Sequence, residues 1–341
     1  MRRRSLYFTE PRRVEVMEED TPSPSPGEVL VETLVSGVSA GTEMLFYRHH
    51  LDEGTRLDTA IGSLDAPLRY PFKYGYSAVG RVVGAGEDAP HGLIGRTVFA
   101  FHPHESHFTA RPEELVPVAE GIGPEDAIFL PSVETALSIV MDGAPMMGED
   151  VVVIGQGVIG LLTTALLSRH PLSSIITMDR YPKRREMSGL MGAGMSLEHG
   201  IPPAELVRRA GLGRRKADLV FELSGDPAAM EYATHVAGFE GRIVVGSWYG
   251  NKEAVVNFGE DFHRNRLRIA SSQVSTVPSS LSGRWDKRRR LDLAWKALAE
   301  VRPRRLITHR VDIDDAARAY DLIDRNGEDV IQVMLDYRGG N

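Results

Sequence analysis

The stretch Val151-Val152-Val153-Ile154-Gly155-Gln156-Gly157-Val158-Ile159-Gly160 constrains the fold of this chain more than any other. Four consecutive β-branched residues predict a buried strand. A G-x-G-x-x-G turn follows at once, and 161–167 reads as a buried helix. Gly155 permits the tight turn, and Gly157 lets a pyrophosphate approach the backbone at the helix N-terminus. Gly160 lets helix and strand pack closely. Asp179 ends the next apolar run, 174–178, where an acid can accept hydrogen bonds from an adenosine ribose. Strand, glycines, helix, strand and acid in that order predict a dinucleotide-binding unit. The alternative is an ordinary strand-to-helix turn with no ligand.

The chain has 341 residues, enough for two domains with a core each. Its formal net charge of −7 gives no sign of a nucleic-acid or acidic-membrane partner. A local basic cluster, Arg284, Lys287, Arg288, Arg289 and Arg290, reads as a solvated helix start, with an anion contact as the alternative. There is no cysteine. Disulfides, thiolate nucleophiles and thiolate metal sites are therefore excluded, which fits a cytoplasmic protein. Met1-Arg2-Arg3-Arg4 is basic, but Tyr7, Thr9, Glu10 and Pro11 follow, so no signal-peptide apolar core develops. The uncharged run 151–167 is too short for a typical membrane span and is interrupted by Gly155-Gln156-Gly157. No membrane anchor is expected.

The first part, 1–125, is β-rich. Strands are predicted at 29–38, behind a proline-rich turn at 22–27, and at 78–86 and 97–102. Short strands at this spacing predict a barrel-like domain. From Gly123-Pro124-Glu125-Asp126 the pattern changes to a helix at 127–141 and then to alternation. Strands are predicted at 151–154, 174–178, 218–223, 242–246 and 267–270. Helices are predicted at 158–169, 182–191, 203–210 and 227–237. Such alternation means a parallel sheet with right-handed crossovers. Two further helices, 286–299 and 314–325, precede an apolar strand, 330–335, which has no partner in the alternation and is expected to return to the first domain. The fold class is α/β: a doubly wound Rossmann sheet over 126–273, a β-rich catalytic domain over 1–125, and a returning segment over 274–341.

A β-rich domain before a dinucleotide fold resembles the medium-chain dehydrogenase/reductase superfamily. The resemblance covers nearly the whole chain. It runs through Val35-Ser36-Gly37-Val38, Tyr74-Gly75-Tyr76, Val79-Gly80-Arg81-Val82-Val83-Gly84-Ala85-Gly86, Gly148-Glu149-Asp150, Asp179, Met191-Gly192-Ala193 and Gly241-Arg242-Ile243-Val244-Val245-Gly246. It implies a GroES-like catalytic domain and a cofactor cleft between the domains, with nicotinamide facing the β-rich one. Zinc-dependent members carry Cys where this chain has Ser39 and Gly-His-Glu where it has Gly75-Tyr76-Ser77. Their third ligand falls near Leu130-Pro131, where neither residue can bind zinc. Their four-cysteine zinc lobe has no counterpart. The chain thus resembles a zinc-independent branch. Ser36-Gly37-Val38-Ser39-Ala40-Gly41-Thr42-Glu43 is similar to bacteriochlorophyllide-type hydroxyethyl dehydrogenases.

Without zinc as Lewis acid, hydrogen-bond donors or a proton relay must handle the substrate oxygen. The catalytic candidates are Tyr76, Glu43, His102 and Glu134. Tyr76 replaces the family's histidine ligand; its alternative is a core aromatic with a satisfied hydroxyl. Glu43 sits with Thr42 on the loop implied to face nicotinamide; its alternative is a loop tie. Glu134 and Thr135 begin near the domain junction, and Thr135 is expected to position nicotinamide. At strand spacing His102 and His104 share a face, and with His107 they form a polar cluster. That cluster reads as a proton relay, as an ordinary loop, or as a metal site that no carboxylate spacing supports; the expectation is no metal. The cofactor candidates are Gly155, Gln156, Gly157, Val158, Ile159, Gly160, Asp179, Arg180, Arg184, Ser224, Gly246, Ser247 and Thr135. Asp179 favours NAD by repelling a 2′-phosphate, whereas Arg180, Lys183, Arg184 and Arg185 make NADP the alternative. Gln332 lies where relatives often carry a basic pyrophosphate contact.

The expected function is a zinc-independent, NAD(P)-dependent oxidoreductase acting on a hydroxyl or carbonyl of a small molecule. The alternatives are an enone- or quinone-type double-bond reductase, and a cofactor-binding protein without catalysis. A homodimer is expected through an edge strand near 267–274, because unpaired edges are covered or paired.

Overall fold

The computed structural model describes residues 2–52 and 54–339. Two compact units form, Met1–Pro131 with Leu298–Asn341, and Ser132–Ala297.

The first unit opens on a hairpin, β1 (Arg2–Glu10) and β2 (Arg13–Asp20). Its register sets Arg2, Arg3 and Arg4 opposite Asp20, Glu19 and Glu18, so opposite charges face across the pair. β3 (Val29–Val38) is the long strand expected from the sequence, and α1 (Glu43–Tyr47) is a short helix after it. β4 (Phe72–Lys73) joins β1, which makes a three-stranded sheet. β5 (Ala78–Ala85), β6 (Thr97–Ala100), β7 (His107–Ala110) and β8 (Leu115–Pro117) follow. β6 stops short of its expected end because Pro103 lacks a ladder donor. The helix expected over 127–141 is two helices, α2 (Pro124–Ala127) and α3 (Leu130–Gly143).

The second unit is a six-stranded sheet. Its elements are β9 (Asp150–Ile154), α4 (Val158–Leu167), β10 (Ser174–Asp179), α5 (Pro182–Leu190), β11 (Met195–Glu198), α6 (Pro203–Arg209), β12 (Ala217–Glu222), α7 (Ala228–Val236), β13 (Ala237–Val245) and β14 (Arg268–Ser271), with α8 (Lys287–Val301) after them. The strand order is β11-β10-β9-β12-β13-β14, and every adjacent pair is parallel. This is the doubly wound Rossmann arrangement, whose order reverses between β9 and β12. Its core gathers Val152, Ile154, Ile176, Val220, Ala233 and Ile243.

The chain then returns. β15 (Ile307–Asp312), α9 (Ala316–Arg325) and β16 (Gln332–Asp336) belong to the first unit. β16 lies antiparallel to β3, with Val333 opposite Val38 and Leu335 opposite Ser36. A mixed sheet results, in the order β15-β16-β3-β5-β6-β8, with β7 also on β3. Residues 274–297, expected in the returning segment, lie instead in the second unit. There Arg290 is buried and hydrogen-bonded to Glu134 and Ser138 of α3. No helix among the described residues is long and apolar enough to cross a membrane.

Candidate active site

The glycine turn after β9 shows why each glycine is required. Gly155 has φ +93°, and a Cβ there would come within 2.5 Å of the Ser224 Cα. A Cβ on Gly160 would lie 1.9 Å from the Gly155 carbonyl oxygen, so α4 packs directly on the turn. Around Gly157 there is room: its nearest neighbour would be Arg184 Nη1 at 3.9 Å. Val158, Ile159 and Gly160 open α4, and no side chain caps that end. Uncapped first-turn amides at a helix N-terminus are a ready anion site. The Gln156 side chain does not face this space. It is fully buried, donating from Nε2 to the Gly155 carbonyl (3.0 Å) and accepting from Thr164 Oγ1 (3.1 Å). Only its backbone is available to a ligand, because the side chain braces the turn.

Asp179 is buried at the end of β10. It accepts from the Gln156 amide (2.8 Å) on one oxygen and from the Tyr181 amide (2.8 Å) on the other. Each oxygen keeps a lone pair for a further donor. Arg180 pairs with Asp226 (3.1 Å), and Arg185 Nη1 donates to the carbonyls of Asp179 and Arg180 (both 3.0 Å). Arg184 lies over the Tyr181 ring and 4.0 Å from the Asp179 carboxylate.

At the next strand ends, Ser224 donates from its amide (2.8 Å) and its hydroxyl (2.5 Å) to Glu222, a fully buried acid closing β12. Tyr249 donates to the other Glu222 oxygen (2.5 Å), and burial pushes the Tyr249 hydroxyl well above its ordinary pKa. Ser247 Oγ accepts from the Gly225 amide (2.9 Å). A Cβ on Gly246 would meet Leu223 at 2.6 Å, so that glycine is a packing requirement. The turn 155–160, Asp179, Ser224, Gly246 and Ser247 thus gather at the carboxyl ends of β9, β10, β12 and β13. Thr135 is half-buried on α3. Its neighbour Glu134 is paired with Arg290 (3.0 Å), and burial pushes the Glu134 carboxyl up against the lowering effect of that guanidinium.

The first unit holds a second group of polar side chains. Tyr76 donates to Ser39 Oγ (2.6 Å) and lies 3.5 Å from Thr42 Oγ1; burial pushes its hydroxyl pKa up. The Ser39 amide donates to Glu43 Oε1 (2.7 Å). Glu43 Oε2 accepts from the Tyr320 hydroxyl and lies 3.1 Å from His104 Nε2. His104 Nδ1 is 2.7 Å from Ser36 Oγ, itself 2.9 Å from the Tyr337 hydroxyl. Glu43, His104, Ser36 and Tyr320 are fully buried, and burial raises the pKa of both Tyr320 and Tyr337. Gly75 makes this packing possible, since a Cβ there would fall 2.8 Å from the His104 ring.

The expected histidine cluster does not converge. His102 stacks on Phe108 at 3.9 Å with Nδ1 3.2 Å from the Pro103 carbonyl, and burial depresses its pKa. The two-residue parity placing it beside His104 fails because β6 has already ended. His107 sits against Ser106 (3.2 Å). Among the described residues no group of three or more His, Asp or Glu is placed to hold a metal ion. The donor set does not fit zinc: Ser39 and Tyr76 are bonded to each other, and Leu130 and Pro131 are buried and apolar or lack a donor. The sequence points to His104 only as a member of the histidine cluster, and Ser36, Tyr320, Tyr337 and Glu222 are not among its candidate site residues. The signal for Glu222 was an acid inside the apolar run 218–223.

No protein-family model matches the chain. The structure is similar to that of the alcohol dehydrogenase rspB of Escherichia coli CFT073, solved with the cofactor NADH. The TM-score is 0.77 at 20% identity, with 98% of this chain and 99% of that chain covered. The chain has the alcohol dehydrogenase fold. A dehydrogenase of the zinc-binding type from Sinorhizobium meliloti 1021, solved with NADP, is similar with a TM-score of 0.78 at 18% identity, covering 99% of this chain and all of that one (100%). In sequence, the chain is 24% identical over 360 residues to 2-desacetyl-2-hydroxyethyl bacteriochlorophyllide A dehydrogenase of Cereibacter sphaeroides, covering 99% of each.

Proposed function

We propose that the chain is an oxidoreductase that passes a hydride between a nicotinamide cofactor and a carbon bearing a hydroxyl or carbonyl oxygen on a small molecule, that it prefers NAD, and that it works without zinc. The observation that carries this reading is the uncapped turn 155–160 with Asp179 presented beside it. A carboxylate oriented by two backbone amides can accept from both ribose hydroxyls and repels a 2′-phosphate. Similar solved structures hold NADH or NADP, so the preference rests on these side chains. Arg180 pairs with Asp226, Arg185 donates to backbone carbonyls, and Arg184 lies 4.0 Å from the Asp179 carboxylate.

When bound, the nicotinamide donates or accepts the hydride. The chain's own task is the proton on the substrate oxygen. As a carbonyl carbon gains hydride, its oxygen gains a proton from the Tyr76 hydroxyl, and the phenolate regains one from solvent through Ser39 Oγ, 2.6 Å away. Burial favours the protonated phenol, which is the donor this step needs. Glu43 holds the loop by accepting from the Ser39 amide, with His104 beside it. Glu134 serves Arg290 instead of the substrate. The zinc-free reading is supported by the Ser39–Tyr76 pair. A homodimer through the edge strand β14 completes the proposal.

Fluorescence titration with NADH and NADPH at one ionic strength is the first test, followed by a panel of alcohols, carbonyls and enones with and without a chelator. The expected outcome is tighter NADH, turnover at a hydroxyl or carbonyl, and activity that survives chelation. Tighter NADPH overturns the cofactor assignment. Stoichiometric zinc lost together with activity overturns the zinc-free one. Enone reduction alone moves the chemistry to a carbon–carbon bond.

A further inference from the structure

We infer that Arg290 is a positioning residue for the nicotinamide end of the cofactor; this rests on the cofactor reading above. Arg290 is the largest fully buried side chain of the protein among the described residues, 1% exposed. Its guanidinium spends all its donors on protein. Nε and Nη2 reach Glu134 Oε1 (3.1 and 3.0 Å). Nη1 donates to Ser138 Oγ (3.1 Å) and the Thr276 carbonyl (3.2 Å), and Nη2 also donates to the Val274 carbonyl. One planar group therefore ties α3 to the irregular backbone that follows β14. The start of that segment is tied to the same helix, through Ser272 Oγ and Asp142 (2.6 Å). Gln273 and Ser275 brace each other between these ties, at 2.7 Å twice.

The place of this segment gives the staple its meaning. In a doubly wound sheet a ligand crosses the carboxyl ends of the strands. Asp179 marks the adenosine end at β10, and the turn 155–160 marks the pyrophosphate at β9. The remaining ends in order are β12, β13 and β14. At about 4.8 Å per strand, β10 to β14 spans about 19 Å, so the far end of an extended dinucleotide runs toward 224–225, 246–247 and 272–276. Backbone in loops is mobile unless tied, and a loop that reads a ligand must be pre-organised. Arg290 supplies that order without touching the ligand, because none of its N–H groups is left to do so. Lysine cannot replace it, since a single ammonium has three donors and no planar fork.

The test compares NADH with ADP-ribose, which lacks nicotinamide, by calorimetric titration of the full-length protein, its Arg290→Lys variant and its Glu134→Gln variant. In both variants NADH binding should weaken on the order of tenfold while ADP-ribose binding stays at the wild-type value. A merely structural role would not separate the two ligands. Equal weakening of both ligands, or no change in either, overturns the inference. Glu134→Gln keeps the shape of its partner, so it decides the matter if Arg290→Lys does not fold. Wild-type protein that binds neither ligand overturns the cofactor reading instead.

Discussion

A hydroxyl can do a metal's work on a substrate oxygen only while it keeps its proton, and burial gives Tyr76 that property. The protonated donor persists through neutral pH, so kcat for carbonyl reduction should stay level there and decline only above the ordinary tyrosine value of about 10. Tyr76→Phe should lower kcat by about 10²–10⁴-fold and leave the NADH dissociation constant unchanged. Steady-state rates against pH, with a binding titration alongside, would check both. An unchanged kcat would return Tyr76 to the role of a core aromatic. A motif makes a single residue a candidate where it gives a polar group a local reason to be, as at Tyr76 and Asp179. Arg290 was hidden because its run of basic neighbours reads as a solvated helix face, and its partner Glu134 is 156 positions away. His104 was partly hidden for a similar reason. Strand parity paired it with His102, whereas its contacts come from α1 and β3, far away in sequence.

Elements were legible in proportion to their periodicity. The apolar runs of β9, β10 and β12 announce buried strands, and β3 announces itself by alternation. β11 went unread because it has four residues and one buried side chain, Leu197. β1 and β2 went unread because Arg-Arg-Arg looks like a solvated terminus until Glu18, Glu19 and Asp20 are set opposite. One member of that ladder matters for stability. Burial pushes the Glu19 carboxyl up, but hydrogen bonds from Lys73, Tyr7 and Ser5 outweigh it and hold the group down at about 2. Its folded pKa is below the unfolded value, so its contribution is present above about pH 4.3 and is lost as pH falls toward 2. Glu19→Gln should therefore destabilise the protein at neutral pH, with the difference from wild type shrinking through that window. Urea denaturation at a series of pH values would measure it. A difference that stays constant with pH would show that the charge contributes nothing.

At the scale of the whole molecule, the sequence pattern carried the α/β class and the parallel, doubly wound sheet, but an edge strand is only a liability until its partner is known. β14 ends the sheet and pairs with β13. The Ser272 amide donates inward to the Val245 carbonyl (2.8 Å). Amides alternate sides along a strand, so those of Arg268 and Ala270 also face β13, and those of Ile269 and Ser271 face outward. Phe239 on β13 and Val255 and Phe258 before β14 are exposed at 70%, 85% and 57%. A two-fold mate pairing along β14 would satisfy the outward amides and place one sheet across both subunits. Ser271→Pro is the decisive change. It removes an outward donor and leaves the inward ladder intact, and its side chain is exposed, so the subunit should still fold. Light scattering should give wild-type protein at twice the mass of one chain at micromolar concentration and the variant at the mass of one. Wild-type protein that runs as a monomer would end the idea. A dimer untouched by Ser271→Pro would move the interface away from this edge.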